Sequence, residues 1–439
     1  MKRTFFVLML AVCPSVFAQI TDYMGPGVAT GGAGNIGRRS GQDVDLRYFV
    51  NATGVYDTGL TPFKTDGSGS LSKPIGAYGV ELGLGAYGRH QSRRSVLGLD
   101  FAANYRHYPS SQSYNGLNQT LSLGYTFQKS QRLIFDAQSN VGSYTFGTAA
   151  ANGGTVPIDS VVDQASLLFD NRTSYLQSGM DARYAKSSRT VFTAGGSAYT
   201  VRRQARALVG VNGYSLHGTV QHRLSQATTI GANYQHIHYD YPKAFGESDI
   251  NMYAGTLSRV FQRVWIISLS GGVFRSEVQG IQNVAVDPAL TALLGITSTA
   301  ATFYRVNFSP TASGTLRRSF RKSALAFSYT RGVSPGNGVY LTSRQESADG
   351  GWSYTGVKKL SFSLNGSMAK LNALGTALAP YSSYSGSANT SYAITRSIQI
   401  GAAYVRRRQN IQGDLFQRDS SRVSFSIYYS PGEVPISFH

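Results

Sequence analysis

Leu121-Ser-Leu-Gly-Tyr-Thr-Phe-Gln-Lys-Ser-Gln-Arg-Leu-Ile-Phe135 is the stretch that decides the fold. Leu121, Leu123, Tyr125 and Phe127 recur at every second residue, with Ser122, Gly124 and Thr126 between them. On an extended backbone this alternation puts an apolar row on one face and a small polar row on the other. Lys129-Ser-Gln-Arg132 interrupts the pattern, and Leu133 and Phe135 restart it. The stretch therefore reads as strand, short basic turn, strand. Arms of the same kind recur at Leu360-Ser-Phe-Ser-Leu-Asn365 and Ser397-Ile-Gln-Ile-Gly-Ala-Ala-Tyr404.

Working outward, eighteen candidate strands follow one another from a first core at 44–56 to a last at 421–430. Most exceed the roughly 9–11 residues that cross a bilayer at a tilt. The pattern is weakest at 350–357 and 383–394, where Gly and Ser dilute it. Short turns near 89–95, 129–131, 186–189, 225–227, 261–262, 317–322, 358–359 and 395–396 alternate with longer loops. No apolar run approaches the roughly 20 residues of a membrane helix. The chain is nonetheless rich in 28 Tyr and 22 Phe, too many for a disordered tail. These features predict an all-β protein: a transmembrane antiparallel up-and-down β-barrel of about 16–18 strands. A soluble sandwich or propeller, the other all-β reading, has no need of short-long alternation.

The ends read as export signals and a leader. Lys2 and Arg3, the apolar run Phe5 to Val12, and Val16-Phe17-Ala18 form a secretory signal peptide over 1–18. A lipoprotein reading at Leu10-Ala-Val-Cys13 is the alternative, although Val12 is bulky before a lipidated cysteine. Cys13 is the only cysteine, so a chain cleaved after Ala18 has no disulfide and no cysteine metal ligand or nucleophile. Residues 19–43 read as a Gly-rich periplasmic leader, 44–430 as the barrel, and 431–439 as a short tail.

Charge is distributed unevenly. Without Lys2 and Arg3 the formal net charge falls from +19 to +17. Seventeen basic residues lie in or beside the short turns: Arg89, Arg93, Arg94, Lys129, Arg132, Lys186, Arg189, Arg223, Arg259, Arg263, Arg317, Arg318, Arg321, Lys322, Lys358, Lys359 and Arg396. They predict a basic collar at the periplasmic rim, able to hold lipid phosphates or an acidic partner; simple solvation of turns is the bland alternative. Export argues against nucleic acid as the reason for the charge. Charged residues expected on the inner wall are mixed: Arg47, Arg106, Arg183 and Arg305 against Glu81, Asp100, Asp136 and Asp181. Net charge therefore does not predict an anion-selective lumen.

Expected outward rows include Leu97, Leu99, Phe101 and Tyr105, then Trp265, Ile267 and Leu269, then Val423, Phe425, Ile427 and Tyr429. Phe127, Phe135, Tyr184, Trp265 and Phe327 stand at strand ends, where an interfacial girdle would lie. The longest loop, 147–173, holds a capped apolar segment from Asp159-Ser160 with Asp163 and Asp170 beside it. Asp287-Pro288 starts a second helical turn, and Asn372 to Pro380 is another apolar loop.

Other motifs carry little. Gly32-Ala-Gly-Asn-Ile-Gly37 matches a dinucleotide fingerprint, but no strand precedes it and no apolar helix follows. His236 and His238 share one strand face with Asp240 two residues on, a pattern open to a metal or to rim solvation. His217, among serines, is the one inward histidine that a hydrolase reading has to offer. The expectation is no enzyme, no metal and no cofactor.

As architecture, the chain resembles a bacterial outer-membrane β-barrel of porin type, and also barrels associated with exopolysaccharide export. Loop 147–173 is similar in order, length and acidity to the third external loop of general porins. That likeness implies a constriction built from Asp159, Asp163 and Asp170, with an external cover as the alternative. Arg422-Val-Ser-Phe-Ser-Ile-Tyr-Tyr429 is similar to the terminal-strand signal read by the outer-membrane assembly machinery. There Arg422 takes the polar position, Ile427 and Tyr429 the hydrophobic ones, and Ser424 stands where Gly is usual. The resemblance implies a Gram-negative outer membrane, lipid and the assembly machinery as partners, and passive diffusion of small hydrophilic solutes. Export of a polysaccharide, or a non-conducting scaffold with a basic rim, are the alternative functions.

Overall fold

The computed structural model describes residues 44–58, 76–110, 115–145, 172–204, 208–262, 264–285, 298–375, 379–411 and 416–431. The signal peptide, leader and most of the tail lie outside them, as do Arg263, Asp159, Asp163, Asp170 and the Asp287-Pro288 turn.

Eighteen strands form. The first six are β1 (Val44–Asp57), β2 (Ala77–Gln91), β3 (Ser95–His107), β4 (Gly116–Gln128), β5 (Leu133–Thr145) and β6 (Arg172–Ala185). Next come β7 (Thr190–Arg203), β8 (Val211–Arg223), β9 (Thr228–Tyr241), β10 (Gly246–Phe261), β11 (Trp265–Ala285) and β12 (Ser298–Ser319). The last are β13 (Ser323–Ser334), β14 (Ser343–Val357), β15 (Leu360–Ala373), β16 (Tyr381–Ala393), β17 (Ile398–Ile411) and β18 (Phe416–Tyr429). Each is antiparallel to its sequence neighbours, and β1 pairs with β18 from Val50↔Tyr429 to Asp57↔Arg422, closing the sheet. Closure leaves no free sheet edge, the condition for a sheet to sit in lipid.

Alternation sorts the two faces as the residues dictate. Tyr48, Val50 and Tyr56 on β1 are exposed outward, while Asn51, Thr53 and Asp57 between them are buried. Rows run across strands: Leu99↔Leu123 and Leu97↔Tyr125 share one side. Such cross-strand pairs are the unit of sheet stabilisation. The outward apolar belt also includes Leu269, Val273, Phe425 and Ile427. In water it would be a serious liability; in hydrocarbon it is the stable arrangement. The dilute strands β14 and β16 form because their small inward residues sit opposite other small ones, as at Ser367↔Ser385.

The short turns share a device. Ser130 Oγ accepts from the N–H groups of Arg132 and Leu133 at 3.2 and 3.1 Å. Ser187, Ser225 and Thr395 accept from the second and third N–H after them in the same way. A hydroxyl that bonds its own turn ends a strand cheaply. Each hairpin is also tied to the next through backbone bonds such as Gln128 N→Arg94 O, Ala185 N→Arg132 O and Ser430 N→Ser397 O.

Several boundaries differ from expectation: β14 begins at Ser343, β15 runs on to Ala373 and β18 begins at Phe416, each beyond its expected core, and Arg89 lies within β2. Arg317 and Arg318 belong to β12 rather than to a turn, because the guanidinium of Arg318 lies over Trp265 and Phe320 at 4.5 and 4.2 Å and lets the strand continue. The β11–β12 hairpin also runs on to Ala285↔Ser298, whereas the β12–β13 ladder stops at Ala312↔Arg331.

Candidate functional site: the barrel lumen

The inner wall divides into four regions. The first lies at the closing seam. Arg422 donates to Glu81 Oε2 at 2.8 Å and stands 3.9 Å from Asp57 Oδ2. Glu81 is fully buried, and Arg106, opposite it on β3, lies over the Tyr108 ring at 5.6 Å. Burial pushes the Tyr108 hydroxyl well above the ordinary tyrosine range.

A second region lies at mid-height on β3 to β8. Asp136 and Asp181 face each other across β5 and β6 and are both buried. Thr126 donates to Asp136 at 2.7 Å, and Arg183 stands 3.8 Å from its other oxygen. His217 Nε2 reaches Asp181 Oδ1 at 3.1 Å although β7 lies between them. Gly195 makes this possible, since a Cβ there would collide with the Asp181 carboxylate. Asp100 lies on the same inner side, on β3, opposite Ser122.

The third region is apolar. Tyr175, Val201, Val211, Ile237, Tyr239, Tyr241, Ile250, Met252 and Phe274 form a buried cluster on the inner faces of β6 to β11. Val333, Leu341 and Leu374 pack onto it. The cover is the loop 335–342, which folds into the barrel. Arg203 donates to the carbonyls of Val209 and Gly336. Tyr241 donates to Pro335 O at 3.1 Å, and its hydroxyl meets that of Thr342 at 3.1 Å. Gly336 and Gly338 have φ of +74° and +99°, which only glycine adopts readily. Asn337 Oδ1 accepts from Val339 and Tyr340 N–H and shapes the bend. Tyr340 donates to Ala379 O, and burial pushes its hydroxyl above the ordinary range.

The remaining wall, β13 to β17, is different. Its inner row is mostly Ser, Thr, Asn and Gly, with cross-strand hydroxyl contacts such as Ser367–Ser385 at 2.6 Å, and the same row carries Asp349 on β14 and Arg407 on β17. Asn365 is exposed on this row, and Ser363, Ser387 and Asn389 are half-buried. Loop 335–342 also reaches this wall, where Tyr340 packs on Leu371 and Tyr381, so only its short-turn half stays accessible.

Among the residues singled out from sequence, Glu81, Arg106, Asp136 and Asp181 are buried on the inner wall. Asp100, Arg47 and Arg183 are half-buried there, and Arg305 is exposed on the inner row of β12. Arg93, Arg94, Lys129, Arg132, Lys186, Arg189, Arg317, Arg321, Lys322, Lys358 and Lys359 are exposed at the short-turn rim, with Arg318 half-buried on its aromatic partners. Ile427 and Tyr429 face outward on β18. Arg422 points inward to its two carboxylates, a role no local pattern announced. His236 and His238 face outward, bonded to Asn251 at 3.2 Å and Asp249 at 2.9 Å, with His238 stacked on Tyr214. Among the described residues no group of three His, Cys, Asp or Glu stands close enough to hold a metal. Ser215 beside His217 is bonded to Ser197 at 3.0 Å.

No protein-family profile matches the chain, and no curated protein matches it. Among solved structures it is similar to Pseudomonas aeruginosa OpdQ, at 9% identity over 90% of this chain and 98% of that one, TM-score 0.40. It is similar to P. aeruginosa OccK2 (OpdF) in complex with glucuronate, at 11% identity over 89% and 98%, TM-score 0.41. Acinetobacter baumannii OccAB3 gives 10% identity over 88% and 99%, TM-score 0.41. Likenesses this distant assign no solute to the present chain. Its own closed barrel, even strand count, single rim of short turns and outward apolar belt are those of a porin-like outer-membrane barrel of a Gram-negative bacterium.

Proposed function

We propose that this barrel is an outer-membrane channel for passive diffusion of small hydrophilic solutes. The observation that carries the reading is the asymmetry of the lumen: loop 335–342 covers β6 to β11 and the long-loop end of β15 and β16, while the Ser/Asn wall of β13 to β17 keeps contact with solvent in its short-turn half. Hydroxyl and amide groups along such a wall replace part of a solute's hydration as it passes. Barrels of this strand number leave an aqueous path unless loops fill it. Asp100, Asp136, Asp181 and Asp349 share the inner wall with Arg47, Arg183, Arg305 and Arg407, so its charge is mixed and the reading rests on the polar wall rather than on a charge preference.

Polysaccharide export fits less well. Tyr199, Tyr239 and Tyr241 do form an inner aromatic series, with ring centroids 6.2 and 6.4 Å apart. Tyr239 and Tyr241 are buried beneath the loop, however, and offer no open face to a sugar ring. The basic collar at the short-turn rim is read as a periplasmic contact for lipid phosphate or an acidic partner.

Swelling of liposomes containing the purified protein tests the channel reading. Swelling rates should fall steadily from pentoses to trisaccharides. Equal, background rates for all sugars would contradict it.

A further inference from the structure

A groove of about 470 Å³ opens on the lipid-facing side of β3 to β7, across the barrel wall from the lumen. Its floor follows the strand register. Phe101, Leu121, Val141 and Leu176 stand opposite one another in one outward row. The next row toward the long loops holds Gln119, Ser143, Ser174 and Arg202. Ser143 and Ser174 are bonded to each other at 3.1 Å and leave the surface low between bulkier neighbours. Apolar and polar rows therefore lie side by side, at the strand ends remote from the short turns, where the outer-leaflet headgroups meet the barrel.

Arg202 sets the occupant. It is exposed, and among the described residues no carboxylate stands within ion-pair distance of it. An arginine at headgroup depth with serine, threonine and amide groups beside it suits a phosphate attached to a sugar, because guanidinium pairs with phosphate through two parallel bonds. The apolar row beneath suits one acyl chain. We propose that this groove holds an acyl chain of an anionic, phosphorylated glycolipid of the outer leaflet, with the phosphate on Arg202. The site would fasten one lipid at a fixed place on the barrel wall.

Native mass spectrometry of the full-length detergent-solubilised protein tests this. The probes are a bis-phosphorylated acylated glucosamine disaccharide, its dephosphorylated form, and phosphatidylglycerol. The wild type should retain one phosphorylated glycolipid in preference to both others. Arg202→Gln should weaken that binding about tenfold, the size of one charge-assisted hydrogen bond. Ser143→Leu/Ser174→Leu, which fills the groove but keeps Arg202, should weaken it as well, with unchanged heat-modifiable gel migration reporting an intact barrel. Equal binding by wild type and both variants overturns the site. Equal binding of phosphatidylglycerol, or of the dephosphorylated form, overturns the choice of ligand. Channel conductance should not change in either variant, which keeps this test separate from that of transport.

Discussion

Arg422 on the last strand donates to Glu81 on the second at 2.8 Å, across the seam where β1 closes the barrel between them. Both side chains are buried, and Asp57 shares the same guanidinium. Removing one member of a buried pair leaves the other charge unpaired, at a cost of about 3–5 kcal/mol. Glu81→Gln or Arg422→Met should therefore lower the temperature at which the folded gel band converts to the unfolded one. The double variant should lose less than the two single losses added together. Full additivity would mean that the two residues do not act as a pair.

Gly195 tests the mid-height cluster. Gly195→Ala should push the Asp181 carboxylate away from His217, because the new methyl occupies its place. The expected readout is a change in ion selectivity together with a lower thermal stability, because the methyl also presses on the Met180 carbonyl oxygen. Asp136→Asn/Asp181→Asn should shift reversal potentials in a salt gradient toward anions. Unchanged potentials in the double variant would show that these carboxylates do not face the conducting path.

The inward loop should respond to Tyr241→Phe, which removes the hydroxyl joined to Pro335 and Thr342. A loss of about 1 kcal/mol at that clamp follows from one hydrogen bond. Deleting 336–341 should raise single-channel conductance outright. If conductance stays the same after deletion, the loop does not narrow the path.

The same loop carries a pH expectation. Burial raises the Tyr340 hydroxyl, so the folded form favours the proton that bonds Ala379 O. The stabilisation is fully present below the ordinary tyrosine value of about 10 and is lost as pH rises through the raised one. Conductance should thus be flat through neutral and mildly alkaline pH and rise only in strong alkali. Tyr340→Phe should remove that alkaline step.

Replacing Arg321, Lys322, Lys358 and Lys359 together by Gln should weaken attachment of the short-turn rim to anionic lipid by about 1 kcal/mol per charge near the surface. Co-sedimentation with anionic vesicles at low and high salt measures this, the difference shrinking as salt screens it.

How much of this was legible follows from the range of each interaction. Leu121 to Phe135 showed the strands, the turn and both faces, because period-two alternation is a local property. Ser130 showed a turn for the same reason. Glu81 and Arg422 are far apart in the chain, and their pairing depends on which strands meet at closure. Loop 335–342 has no periodicity; its inward course depends on Arg203 and Tyr241, which belong to other strands. Only the paired glycines Gly336 and Gly338 hinted at a constrained bend there. The acidic loop around Asp159 drew attention by order and length, and lies outside the described residues.

Planar-bilayer recording of the purified barrel tests most directly whether an aqueous path runs along the short-turn half of β13 to β17 and past loop 335–342. Insertions should produce discrete steps to a steady open conductance. Asn365→Trp, on the accessible polar wall, should reduce each step, while a tryptophan at outward Leu269 should not. Silence after verified insertion, or steps indifferent to Asn365→Trp, would contradict the account.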